Sequence, residues 1–345
     1  MRNYIPFLKA KTNEFSSLKN LDDDISKEIT PFFDIPRKNK VDYTEGNYTA
    51  LIDRIVKKIS GLVAIPLFYI DDYDIEDSLF VSGVQSYQYV MLALREYAFI
   101  PVIGINRSDE RNAVVFDNSS IVKTKTVAIR VGIEDIQSGL LDINALVEEA
   151  QNYYSAIELI IDLRVVGKND NTQRIINTVI SFLKKSTHYS KIIITGSSIP
   201  TSSGSVVAPN ELVDLERKEL QIQRVVNLSF PDLFYGDYTI ISPNYSDISI
   251  DPRIIPNIMT ARIIYSYSDR HYIIRGVSIR KAGYGQYKDF CQKIKNKSFF
   301  RGSAYSFGDC FIDNADKMSK TITASTILNP MINAHITYMY KDFTF

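Results

Sequence analysis

Eight short runs in the first two thirds of the chain are apolar at odd and even positions alike, and stretches of helical periodicity separate them. A strand without polar alternation is buried on both faces, which requires a parallel sheet covered by helices. The runs fall at 4–8, 29–35, 62–70, 99–105, 126–131, 157–163, 191–196 and 238–241. Helices are predicted at 13–21, 48–60, 84–97, 143–153, 172–185 and 210–223. "DINALVEEAQNYY" opens on an aspartate cap, and "NDNTQRIINTVISFLKK" places polar caps first and lysines last, as the helix dipole favours. The segment "RSDERNAVVFDNSSIVKTK" fits least well and is read as a small extra strand with one turn of helix.

Eight such units imply an α/β fold closed as a TIM-like (β/α)8 barrel. An open doubly wound sheet is the alternative, but no G-x-G-x-x-G turn follows any run, so a dinucleotide-binding fold lacks its signature. Four runs carry a proline: "YIPFLKAK", "ITPFFDIP", "VAIPLFYIDD" and "FIPVIGINRSDE". Proline gives no ladder hydrogen bond, so each is expected at its strand's start, on the N-terminal rim. The charged residues released at the far ends then crown the C-terminal rim, where barrels of this kind carry their sites.

The pattern changes near residue 250. A hairpin in "ARIIYSYSDRHYIIRGVSIR", a helix in "QYKDFCQKIKNKSF", a glycine-punctuated loop in "FFRGSAYSFGDCFIDNA" and a final helix or strand in "NPMINAHITYMYKDF" form a small C-terminal appendage. The expected division is a barrel over 1–250 and an appendage over 251–345 that closes over a rim.

With 40 basic and 40 acidic residues the chain has no net charge, so an anion site must be local. Cys291 and Cys310 are isolated and expected to be reduced. No secretory h-region or membrane-length apolar run is present, and a cytoplasmic protein is expected. Tyrosine is abundant, at 22 residues, and offers rings for stacking on a flat ligand.

The strand ends supply the candidate chemistry. Lys9, Lys11 and Glu14 follow the first run, Asp34 and Arg37 the second, and Asp71, Asp72 and Asp74 the third. Asn106, Arg107 and Asp109 follow the fourth, and Arg130 and Glu134 the fifth. Asp162 with Arg164, Ser197 with Ser198, and Ser242 with Asn244 follow the last three. Residues two apart in a strand share a face, so Lys9 pairs with Lys11 and Asp162 with Arg164. Lysine and arginine suit phosphate or carboxylate, and Asp34, Asp71 and Asp162 suit acid, base or hard-cation roles. "ITGSSIPTSSGS" offers amides and hydroxyls to a phosphate but lacks the P-loop lysine, so a plain loop is the simpler reading. "DDYDIED" lacks the glycine and spacing of a calcium loop and suggests weak Mg2+ binding at most. No nucleophilic triad or zinc set is evident. His188 reads as a solvated loop residue and His335 as a satisfied structural histidine.

Several stretches, in order, resemble the phage T4 beta-protein family, known in bacteria as "beta family protein". They are "YIPFLKAKTNEFSSLKNL", "ITPFFDIPR", "ELIIDLR", "GSSIP", "FRGSAYSFGDCFI" and "INAHIT". Phe307 stands where the family often has tryptophan, and His335 is followed by Ile336 where a second histidine is common. The resemblance implies a barrel-like fold and a setting in phages or bacterial defence loci, without a known reaction. It carries over Lys9, Lys11, Glu14, Asp34, Asp162, Arg164, Ser198, Gly308, Asp309 and His335.

Two functions compete. In the first, the mouth binds and processes a phosphate-bearing ligand, a nucleotide or a nucleic-acid end. Asp34, Asp162 and Glu14 are then catalytic, and Lys9, Lys11, Arg130, Arg164, Ser197, Ser198, Asp309 and His335 bind ligand, with no required cofactor and Mg2+ as an option. In the second, the barrel is a non-enzymatic scaffold or sensor for protein partners of a defence locus. Sequence-specific DNA binding ranks last, because no recognition motif accompanies the neutral charge.

Overall fold

The computed structural model describes residues 3–38, 43–186, 189–245, 253 and 255–343. His188 lies outside the described residues. Eight parallel strands close a barrel: β1 (Tyr4–Lys9), β2 (Phe32–Asp34), β3 (Phe68–Asp71), β4 (Phe99–Ile103), β5 (Thr126–Gly132), β6 (Ala156–Val165), β7 (Lys191–Ser197) and β8 (Phe234–Asp237). They follow one another around the ring in chain order, and β8 pairs back onto β1.

Strand alternation sorts the side chains. Phe7, Phe32, Tyr69, Val102, Ala128, Ile160 and Ile193 belong to a compact cluster separate from the larger core. That cluster fills the barrel interior, and the outward residues pack under the helices. On the N-terminal side of the interior, Lys191 Nζ lies 2.9 Å from a Glu158 carboxylate oxygen, and Tyr69 donates to the other oxygen at 2.5 Å.

The prolines divide into two kinds. Pro31 and Pro66 precede β2 and β3, as expected for strand starts. Pro6 and Pro101 sit mid-strand, where the pairing changes side. Residues 4–6 of β1 pair with β8 and residues 7–9 with β2, while β4 passes from β3 to β5 after Pro101. A residue at such a changeover is where a missing donor costs the ladder least.

Three local expectations are corrected. The eighth strand is Phe234–Asp237, one step before the apolar run 238–241. Gly236 faces inward, where an added Cβ would lie 2.5 Å from Phe7 Cε2, so the phenyl ring fills the space a side chain would have taken. Asp109–Asp117 is a full helix, capped by Ser108 Oγ accepting from the Arg111 amide. Residues 210–223 are not one helix. Glu211–Glu216 is a strand, and the helix runs Lys218–Ser229.

That strand pairs antiparallel with β10 (Arg270–Ser278), which pairs with β9 (Thr260–Tyr267), giving a three-stranded sheet. The helices Gln286–Lys295, Phe307–Asn314 and Leu328–Lys341 complete the appendage. The segment read as a glycine-punctuated loop thus holds the second of these helices, begun by Ser306, whose Oγ accepts from the Asp309 amide at 2.9 Å. Among the described residues no helix is long and apolar enough to cross a membrane.

Candidate functional site

Two residues beyond the phenyl, tyrosyl and aliphatic layer, the same inward positions carry Lys9, Asp34, Asp71, Arg130 and Asp162. Alternation alone therefore converts the packed interior into a polar layer at the C-terminal mouth. Arg130 stands at its centre. Nη1 donates to Asp34 Oδ1 and Asp71 Oδ2, each at 2.7 Å. Nη2 donates to Asp162 Oδ2 and to Tyr238 Oη, also at 2.7 Å, and Nε reaches Asp162 Oδ2 at 3.1 Å. All four partners are buried.

One guanidinium cannot neutralise three carboxylates, and the others are shared outward. Arg107 grips both oxygens of Asp71, at 2.9 and 3.0 Å. Burial alone would raise Asp71 and Asp162, but Arg107 and Arg130 for the first, and Arg130 and Arg164 for the second, hold them below the usual carboxylate range. Asp34 differs. Its burial outweighs Arg130, and Asp71 and Asp74 add repulsion, so its pKa rises to about 6.

A cationic layer lies above this floor. Lys9 Nζ is 3.5 Å from the centre of the Tyr245 ring, with Lys11 at 5.1 Å and Arg37 at 5.0 Å. The Tyr73 ring is approached by Arg130 at 4.4 Å and by Arg107 and Arg164 at 4.7 Å. Aromatic faces hold such cations at short range without neutralising them. Burial, with Lys11 nearby, lowers Lys9 to about 8, and burial raises Glu14, on the first helix beside these lysines, to about 7.

Arg164 adopts φ +51°, with its amide donating to Asp162 Oδ1 at 2.8 Å. A left-handed non-glycine residue costs on the order of 1–3 kcal/mol and persists where its surroundings hold it. The irregularity falls where the β6–β7 register shifts between Asp162 and Val165. It turns the guanidinium to 3.3 Å from the Pro243 carbonyl oxygen, through Nη2, and to 3.9 Å from Asp74. Arg164 Nη1, Asp74 Oδ2 and Ser242 Oγ are buried without a hydrogen-bond partner among the described residues.

Lys9, Asp34, Arg130, Asp162 and Arg164 therefore converge, with Lys11 and Glu14 at the edge of the group. The donors of Arg130 are committed to the floor. Ser197 Oγ accepts from the Ile199 amide. Ser198 donates to Glu219 at 2.6 Å and accepts from the Lys218 amide at 2.9 Å, which caps the helix Lys218–Ser229. Tyr73, Tyr238 and Tyr245 were not singled out from the sequence. The signal available was their position after a strand end, two residues on for Tyr73, one for Tyr238 and eight for Tyr245.

His335 and Asp309 lie elsewhere. Asp237 is the outward neighbour of Gly236 and accepts from Tyr4 Oη at 3.0 Å and from Arg217 Nη2 at 2.6 Å. His335 Nε2 meets its two oxygens at 3.0 and 2.9 Å, and Nδ1 lies 2.6 Å from Ser266 Oγ, which also contacts His271 Nδ1 at 2.9 Å. Burial would raise Asp237, yet His335 and Arg217 keep it far below its ordinary value, while burial lowers His335. The acid, imidazole and hydroxyl order resembles a hydrolytic triad, but all three side chains are at most 2% exposed. They fasten the appendage to the outside of β8. Asp309 accepts from Tyr265 and Ser306 within the appendage.

Among the described residues no group of three or more His, Cys, Asp and Glu side chains is arranged to hold a metal ion; the centre of the three mouth carboxylates is filled by the Arg130 guanidinium. A comparison with curated proteins gave no match. A family model described as Beta protein matches residues 4–341, nearly the whole barrel and appendage. The chain belongs to the beta-protein family.

Proposed function

We propose that the barrel mouth binds the phosphate group of a nucleotide or nucleic-acid end in the cytoplasm, and that the bound phosphate is open to processing there. One observation carries this reading. Lys9, Lys11 and Arg164 lie over a carboxylate floor whose charge Arg130 and Arg107 already engage, and Arg164 Nη1, 3.9 Å from Asp162 Oδ2, is buried without a hydrogen-bond partner among the described residues. Buried donors without partners are costly, and a phosphate oxygen supplies the acceptor.

Processing is supported by Asp34 of the floor, at about 6, and by Glu14 at the edge of the group, at about 7, near the pH at which a general base or acid works best. Asp34 would take a proton from a water that attacks the phosphorus, the P–O bond to the rest of the ligand would break, Glu14 would give a proton to the leaving oxygen, and Lys9 and Arg164 would meet the growing charge on the phosphate oxygens. The setting we propose, phage–bacterium conflict, rests on the family resemblance.

Thermal shifts with a panel of nucleoside phosphates and 5′-phosphorylated oligonucleotides, with and without Mg2+, test the reading. The wild type is expected to gain stability with at least one phosphate, and the Lys9→Ala/Lys11→Ala variant to lose that gain. No shift with any of them overturns it. Binding without product release assigns the mouth to recognition alone, which is the sensor reading. Plaque counts with and without the gene test the setting.

A further inference from the structure

Across the hairpin, Arg262 on β9 pairs in register with Arg275 on β10. Directly opposed residues point to one face of a sheet, and like charges so placed repel. Among the described residues neither arginine forms an ion pair, and Arg262 makes no side-chain hydrogen bond. Arg275 is held in plane by Nε donating to Thr260 Oγ1 at 3.0 Å and Nη1 donating to the Val207 carbonyl at 2.9 Å, which leaves Nη2 unengaged. Burial, with Arg275 beside it, lowers Arg262 from its ordinary value.

Both arginines line a cavity of about 410 Å3 between the loop after β7, the hairpin and the start of the helix Leu328–Lys341. Among the described residues its lining contains no Asp or Glu. Thr201, Ser202 and Ser203 bring hydroxyls to one side, while Ile240, Ile327 and Met331 form an apolar wall. Loop and hairpin are closely fitted, since a Cβ on Gly204 would lie 3.3 Å from Arg275 Nη1.

We propose that this cavity is a second anion site, separate from the mouth, for a small organic phosphate or carboxylate with an apolar body. The anionic oxygens bridge Arg262 and Arg275 and convert a repulsive pair into a shared clamp. The hydroxyl loop donates to the remaining oxygens, and the body lies on the apolar wall, a division usual in small-ligand sites.

The experiment titrates the full chain with phenyl phosphate and with phenylacetate, using phenol and inorganic phosphate as controls, and reads melting temperature and calorimetric affinity. At least one aromatic anion is expected to stabilise the protein and bind at least tenfold more tightly than inorganic phosphate, with phenol inactive. Which anion prevails distinguishes phosphate from carboxylate. Arg262→Leu is expected to weaken binding at least tenfold without lowering the melting temperature of the free protein, because it relieves the opposed charges. Arg262→Gln gives the same reading if the leucine variant fails to fold. Lys9→Ala/Lys11→Ala is expected to keep the effect, which separates this site from the mouth. The proposal is overturned if neither anion binds, if binding survives both Arg262 substitutions, or if it disappears in the lysine variant.

Discussion

Arg130 and Asp162 meet on a single oxygen, Oδ2, which accepts from Nε at 3.1 Å and Nη2 at 2.7 Å while Tyr238 Oη donates to it at 2.6 Å. The other carboxylate oxygen is thereby left to the Arg164 amide. Asp162 thus joins the fixed floor of the mouth to the strained residue above it. The position of the Arg164 guanidinium is set from beneath.

Arg130→Met is expected to destabilise the protein by about 3–5 kcal/mol, the usual cost of leaving buried charge uncompensated. Asp34, Asp71 and Asp162 would then face one another without their common partner. Urea denaturation measures the loss. A cost below about 1 kcal/mol would show that the floor carries little net charge, since one protonated carboxyl suffices to spare the rest.

Glu14 gives a pH-dependent outcome. Its pKa is raised to about 7 by burial, against about 4.3 in an unfolded chain. Between those values the folded protein holds a proton that the unfolded chain has released, so stability falls as pH rises and the penalty is complete above pH 7. Glu14→Gln is expected to raise stability at pH 8 by on the order of 2 kcal/mol and to add little near pH 4.5. Melting curves of both proteins at the two pH values check this, and an equal change at both would point to packing instead of ionisation.

Gly308→Ala is expected to cost at least about 1–3 kcal/mol, as overpacking does. A Cβ there would overlap the Pro330 carbonyl oxygen and stand 2.7 Å from Ala334 Cβ. The helices Phe307–Asn314 and Leu328–Lys341 would have to separate. Hydrogen exchange should rise in both before it rises in the barrel strands.

The barrel was legible because its strands are apolar on both faces, a pattern with few solutions. The floor was legible for the same reason: Lys9, Asp34, Arg130 and Asp162 are each two residues past an interior position, at Phe7, Phe32, Ala128 and Ile160. Where periodicity misled, a distant partner had decided the structure. "ELVDLE" contains strong helix formers, yet it alternates from Val213 to Glu216, and it pairs with residues 270–275 more than fifty positions later. The final strand was displaced because glycine occupies its inward position and a more apolar run follows. The place of His335 was not legible, since it depends on where the outward carboxylate of Asp237 meets a helix nearly a hundred residues away.

The helix Leu328–Lys341 touches both sides of the seam at which β1 and β8 close the ring. Asn333 donates to the carbonyls of Ser17 and Asn20, at 3.1 and 3.0 Å, and His335 reaches Asp237 at the end of β8. During synthesis all eight strands leave the ribosome before this clasp does. The closing seam of the ring is therefore held on its outside by a helix that is synthesised after every strand it secures.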